Sequence, residues 1–211
     1  MSNTLALFWN LAATDREARI DASNELVSTL LQQSSDIGLV DDTKLMESPL
    51  SEQVTDDEMA GAEQRIDDAN TQDVSYAIRR LVRGLASPRE NARIGFAVAL
   101  SGLLSHLKTV SANDVLVLLL KYSVVRGNMN GQEVRDLQFA RLFGIYALVR
   151  SRLLYRASLS TFQRAFHILV QVASYKSWLS EPCGWVLTEL VEPLARNDPC
   201  LLYTSDAADD L

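Results

Sequence analysis

The chain has 211 residues, 47% of them hydrophobic, and carries 27 Asp and Glu against 20 Lys and Arg, a net charge of −7. That is enough apolar material for one sizeable core, yet no run of about 18 uncharged apolar residues could span a membrane. The N-terminus lacks the basic start and small-residue cleavage site of a secretory signal, so a nucleocytoplasmic chain is expected.

In chain order, Leu5, Leu7, Phe8, Trp9 and Leu11 form an apolar cluster too short to fold alone. Thr14-Asp15-Arg16-Glu17 has the pattern of a capping box, in which the Thr hydroxyl accepts a backbone N–H and the Glu reaches back to the cap. The helix it opens sets Ala18, Ala22, Leu26 and Leu30 on one stripe and ends near Ser34. Residues 35–72 are dominated by acidic, Ser/Thr and Gln residues, interrupted by Pro49. Low hydrophobicity with net negative charge does not offset chain entropy, so a mobile acidic loop is predicted, with a weak helix around Asp56–Asp68.

From Asp73 to Leu107 the pattern sharpens. Val74, Ala77, Ile78, Leu81, Val82 and Leu85 recur at three- and four-residue steps, one stripe of an amphipathic helix. Ser87-Pro88-Arg89-Glu90 reads as a capping box with proline at the first helical position. Beyond it Ala92, Phe96, Leu100, Leu103 and Leu107 line one side, and Ile94, Ala97, Val98 and Leu104 broaden it. A helix with such a wide apolar surface has neighbours on two sides, as in a stacked helical hairpin. Ser111 and Asp114 then open a short apolar helix, and residues 127–131 form a loop. A long helix follows from about Gln132 to Arg152, another starts with a capping box at Ser160–Gln163, and a last one begins at Ser180-Glu181-Pro182 and stops at Pro193.

About seven helices with no alternating strand predict an all-α chain, an α-solenoid of armadillo or HEAT-like repeats. A compact helical bundle is the alternative. The organisation expected is an N-terminal helical segment (1–34), the acidic loop (35–72) and a helical-repeat region (73–199) that forms one domain with 1–34. Residues 200–211, CLLYTSDAADDL, resemble a translated adapter from library preparation, which would break the natural sequence near Pro199 and leave Cys200 without meaning.

No catalytic constellation stands out. His106 and His167 lie on separate helices, and no HExxH, CxxC, GxSxG or phosphate-binding glycine loop is present. Neither a metal nor a cofactor is expected. Cys183 could be a reactive thiol at a helix start but suits packing better. Two cysteines, Cys183 and Cys200, are also too few for a disulfide framework. Trp9, Trp178 and Trp185 could stack on bases, although aromatic residues in helical stacks are usually core.

The charge is split. Residues 1–72 hold 15 acidic and 4 basic side chains, whereas residues 73–199 hold 9 acidic and 16 basic. Arg79, Arg80 and Arg83 share one helix face, and Arg89 and Arg93 lie one turn apart on the next. If both faces look outward the same way, these five guanidinium groups could grip a phosphate backbone without reading sequence, or an acidic protein tail. The alternative is that they lie on solvated faces, paired with carboxylates, and need no ligand.

Four blocks in order carry a family resemblance: LFWNLAATDREARIDASNELV at Leu7–Val27, the stretch Asp73–Leu107, VRDLQFARLFGIYALVRSRLL at Val134–Leu154, and KSWLSEPCGWVLTELVE at Lys176–Glu192. Together they resemble the N-terminal region of the DNA polymerase phi / Myb-binding protein 1A family. The resemblance implies a nuclear, nucleolar protein of helical-repeat architecture. It further implies a role in ribosomal RNA gene transcription and ribosome biogenesis, with ribosomal DNA or chromatin and transcription proteins as partners. No membrane or small-molecule ligand is expected. The family's name suggests a polymerase, but no paired metal-binding carboxylates stand in a basic setting here, so that activity is not carried over.

Overall fold

Side-chain caps set most of the helix starts. Thr55, Thr71, Ser111, Asn130 and Ser158 each stand in extended backbone and accept from an N–H of the turn that follows, satisfying donors the helix cannot. The computed structural model of the chain describes residues 2–33 and 54–197. These form nine α-helices: α1 (Ser2–Asn10), α2 (Arg16–Gln33), α3 (Asp56–Ala69), α4 (Gln72–Gly84), α5 (Glu90–His106), α6 (Ala112–Tyr122), α7 (Gly131–Arg150), α8 (Leu159–Tyr175) and α9 (Ser177–Asn197), with a 3-10 turn at Leu154–Arg156. No strand occurs among the described residues.

The seven expected helices are present, α3 matches the weak helix expected around Asp56–Asp68, and α1 is additional. The apolar cluster at Leu5–Leu11 is the helix α1, which docks on α2 and buries Leu7, Phe8 and Leu11. The stretch Asp56–Asp68 lies in the helix α3, packed on α6 and α4. Residues 34–53, the first part of the expected acidic loop, and the adapter-like residues 200–211 lie outside the described residues.

Several predicted boundaries shift. The first cap is Asp15, whose Oδ2 accepts from Ala18 N at 2.7 Å, one residue past the expected Thr14. The box at Ser87–Glu90 does not form: α5 starts at Glu90 with Arg89 at the cap and no side-chain bond there. The Ser87 hydroxyl accepts from Arg89 N at 3.3 Å instead of from Glu90 N, and the Ser87 carbonyl accepts from the Arg93 guanidinium at 2.7 Å. The cap of α8 is Ser158, two residues before Ser160. A full capping box does exist at Asn130 and Glu133, at the end of the predicted loop. The last helix starts at Ser177 and contains both Pro182 and Pro193. Pro193 lacks the N–H that would reach the Glu189 carbonyl, and the Tyr155 hydroxyl donates to that carbonyl instead, at 2.8 Å. A cross-helix bond thereby lets the helix run through the proline.

The helices pack in two rows. In one, α2, α5, α7 and α9 lie side by side; in the other, α4, α6 and α8 do, and α4/α5, α6/α7 and α8/α9 pair across the rows. This order follows from the apolar faces. On α6 every residue from Ala112 to Leu120 is buried, because α3, α4, α7 and α8 enclose it. Where elements meet most closely, side chains shrink: a Cβ on Gly95 of α5 would lie 1.9 Å from the Leu11 carbonyl oxygen in the turn after α1, and one on Gly144 of α7 2.5 Å from Leu119 of α6.

Candidate interaction surface

The five arginines singled out from the sequence do not form one surface. Arg93 is buried, its Nη1 bonded to the Ser87 carbonyl and, at 3.2 Å, to Asp136 of α7. Its guanidinium also sits 4.7 Å from the Phe139 ring centre. Burial pulls the Arg93 pKa down, and the Asp136 carboxylate opposes it. Arg93 is a tie between α5 and α7, and the outward face expected of it is absent. A buried arginine is compatible with apolar neighbours only when a carboxylate arrives from another helix, which spacing along α5 does not show.

Arg80 is half-buried. Its Nη1 donates to the Tyr76 hydroxyl at 2.7 Å, and its guanidinium lies 4.8 Å from the Phe8 ring centre. Phe8 meets Tyr76 edge-on, so these three side chains pin α1 to α4. Arg79 is half-buried and pairs with Asp67 of α3. Arg83 and Arg89 are exposed, Arg83 with its guanidinium 5.9 Å from the Tyr122 ring. Two of the five therefore face solvent, and three bind other parts of the chain.

Arg79 belongs to a set that sequence reading missed. The acidic helix α3 lies over the α4–α6–α8 row and meets a different base on each helix. Asp67 pairs with Arg79 of α4, Glu63 with Lys121 of α6 at 2.6 Å, and Glu58 with Arg164 of α8 at 2.5 Å. One pair runs the other way, Arg65 of α3 to Asp114 of α6 at 2.5 Å. Arg164 has no solvent exposure at all, and Asp114 is nearly as enclosed. Asn70 and Thr109 bond at 2.6 Å, and the Ser75 hydroxyl donates to the Ile66 carbonyl. A sequence signal was present: Met59, Ala62 and Ile66 recur at helical steps within the charged run.

The remaining candidates resolve simply. Cys183 is fully buried, and burial pushes its thiol up to about 11, which fits packing and not reactivity. His106 holds its Nδ1 2.9 Å from the Gly102 carbonyl of its own helix, and His167 is exposed. The three tryptophans are not core, contrary to the usual expectation. Trp9 is 71% exposed, and Trp178 and Trp185 are about half-exposed, lying against Phe139 and Tyr146 of α7 at 5.4 and 5.1 Å between ring centres. Among the described residues no three His, Cys, Asp or Glu side chains gather as a metal site, and no helix is long and apolar enough to cross a membrane.

Fold and charge pairing define an all-α stack of helices in two rows, tied together by arginine–carboxylate pairs. The chain belongs to the DNA polymerase phi family, whose model matches residues 76–203. Among curated relatives, the rDNA transcriptional regulator pol5 of Schizosaccharomyces pombe is 40% identical over 152 residues, 71% of this chain and 15% of its own length. POL5 of Saccharomyces cerevisiae, also named an rDNA transcriptional regulator, is 26% identical over 89% of this chain and 18% of its own length. Myb-binding protein 1A of Rattus norvegicus is 28% identical over 70% of this chain and 8% of its own length. The chain thus spans less than a fifth of each of these relatives. No solved structure matches it significantly.

Proposed function

We propose that this chain is part of a non-enzymatic scaffold of armadillo or HEAT-like repeats that acts in ribosomal RNA gene transcription, in the nucleus and nucleolus. The relatives' names carry the process, and their regulatory wording favours a scaffold over a polymerase. One observation favours protein contacts over direct phosphate gripping: Arg79, Arg80 and Arg93 are engaged by Asp67, Tyr76 and Asp136 of the same chain. A guanidinium already paired releases little on meeting a phosphate, because it must first give up its carboxylate.

The second reading is a sequence-independent nucleic-acid module, and the exposure of Arg83 and Arg89 speaks for it. Titrating the chain with duplex DNA at several salt concentrations separates the two. The scaffold reading expects weak binding with a shallow salt slope, on the order of two phosphate contacts. A steep slope that flattens when Arg79, Arg80, Arg83 and Arg89 are replaced by Ala would overturn it. Primer extension is expected to give no nucleotide incorporation, and incorporation abolished by replacing a local carboxylate would return the polymerase reading.

A further inference from the structure

We propose that the outer side of the α5–α7–α9 row is a docking groove for an amphipathic helix of a partner protein, apolar along one face and acidic at one end. The proposal rests on the scaffold reading and names the surface and the chemistry of its partner. The floor of the groove is α7. From Asp136 to Arg150 every residue of that helix is buried except Phe139, Phe143, Tyr146 and Arg150. These follow at steps of four, three and four residues, so they form one stripe, the side of α7 that solvent reaches. A solvent stripe ordinarily carries polar side chains, and here three of its four residues are aromatic.

The neighbouring helices continue the apolar surface. On α5, Ala97, Val98 and Ser101 stand across a groove of about 340 Å³ from Phe143 and Tyr146. On α9, Trp178 lies against Phe139 and Trp185 against Tyr146, and both tryptophans stay about half-exposed, as does Val98. An apolar patch spread over three helices and rimmed by charge is the mark of an interaction site. Further helices at either end of the rows would lengthen this face and leave it uncovered. At the C-terminal end of α7 the groove opens into a wider cleft of about 790 Å³, which shares Arg150 and adds Arg152 and Arg156. Glu189 and Glu192 stand on its far bank, and Glu189 lies 3.8 Å from Arg150. Arg152 and Arg156 make no side-chain hydrogen bond or ion pair among the described residues. Arg152 also stands at φ 60°, where its N–H and that of Leu153 close α7 on the Val149 and Leu148 carbonyls. Glycine takes that place without strain and arginine does not, so the helix end holds a free cation at the mouth of the groove at a conformational cost.

The occupant follows from this layout. The α7 stripe repeats once per turn over about 17 Å from Phe139 to Arg150, which matches a helix with apolar side chains at i, i+4, i+7 and i+11. Ala97 and Ser101 are small, so a helix laid along α7 sinks between α5 and α9. Acids at one of its ends meet Arg152 and Arg156. A nucleic-acid strand suits the groove poorly: it brings a charge about every 3.4 Å, whereas the free cations are gathered at one end and the rest is apolar. A second copy of the chain suits it no better. Paired along α7 in either direction, it sets Arg152 and Arg156 against their own counterparts or against Arg135, which lies 6.0 Å from the Phe139 ring centre at the other end.

The test uses the full chain with Trp9→Phe, which leaves Trp178 and Trp185 as its tryptophans. One probe is a fluorescein-labelled helical peptide of about 14 residues, with leucines at i, i+4, i+7 and i+11 and glutamates at its N-terminal end. The other is its twin with lysines in place of the glutamates. The acidic peptide is expected to bind and to shift the tryptophan emission, and the twin to bind at least about tenfold more weakly. Val98→Asp should weaken the acidic peptide about tenfold. Arg152→Gly combined with Arg156→Ala should bring the two peptides to equal affinity without lowering the melting temperature. No binding of the acidic peptide, or equal binding of the two to the parent chain, overturns the proposal. So does binding that Val98→Asp leaves unchanged; if that variant does not melt cooperatively, Trp185→Ala, read by peptide anisotropy, takes its place. Displacement of the acidic peptide by duplex DNA overturns the choice of a protein helix. A dimer in sedimentation that Val98→Asp dissociates assigns the face to a second copy and overturns it too. The scaffold reading fails separately, on a steep DNA salt slope through Arg79, Arg80, Arg83 and Arg89, none of which lines this groove. The peptide result stands whichever way that titration falls.

Discussion

At the scale of single residues, the same side chain type has opposite roles according to what faces it. Arg93 and Arg89 are four apart on one helix start, yet Arg89 faces water and Arg93 is enclosed by Asp136 and Phe139. Replacing Arg93 by Ala leaves Asp136 buried beside fewer donors, and a loss of about 3 kcal/mol is expected in urea unfolding. Arg93→Met, which fills the volume but not the charge, is expected to recover only part of it, because Asp136 keeps Arg135 and Gln132 as its remaining contacts. Cys183 gives a pH signature. Its thiol is held neutral up to about 11 in the folded chain, above the ordinary value for a thiol. A folded-state pKa raised in this way contributes stability that is complete below the unfolded value and is lost as pH climbs through the folded one. The urea midpoint should therefore fall more steeply above about pH 9 in the wild-type chain than in Cys183→Ala. At neutral pH the folded thiol should react with a disulfide reagent only as fast as the chain unfolds.

At the scale of elements, helix identity was legible and helix ends were not. The stripes of α4 and the broad face of α5 follow from spacing alone, because burial of one face needs apolar residues at helical steps. Their caps depend on which nearby acceptor wins. The Ser87 hydroxyl accepts from Arg89 N and the helix starts at Glu90 without a side-chain cap, and at Pro193 Tyr155 supplies the donor that proline lacks. Close approach is a property of pairs of elements as well. Gly95 lets α5 press against the turn after α1, and a Cβ there would meet a backbone carbonyl that cannot rotate away. Gly95→Ala is expected to destabilise the chain by about 2 kcal/mol or more, measured by thermal or urea unfolding. Gly102, with only ordinary contact at its Cβ, should accept alanine without such a loss.

At the scale of the whole molecule, charge separation along the sequence becomes charge pairing across the fold. The acidic first third and the basic remainder meet where α3 lies over the α4–α6–α8 row, between residues 106 positions apart in the case of Glu58 and Arg164. Read along the chain, Asp56–Asp68 is too polar to form a core and suggests only a weak helix within an acidic loop. In three dimensions its acids find bases and its two buried side chains close the outer face of α6. The candidate site suffered the same fate from the other side. A helix wheel places Arg79, Arg80 and Arg83 on one face, but it does not show that Asp67, Phe8 and Tyr76 arrive there. By itself the sequence determined that the chain is all-helical, where its long amphipathic helices lie, and the family it resembles, because periodicity and block order are local quantities. Which arginines are free, which are tied, and what covers the central row were decided only by the tertiary structure. Those depend on partners dozens of residues away, and a cation beside a carboxylate is a different chemical object from a cation in water.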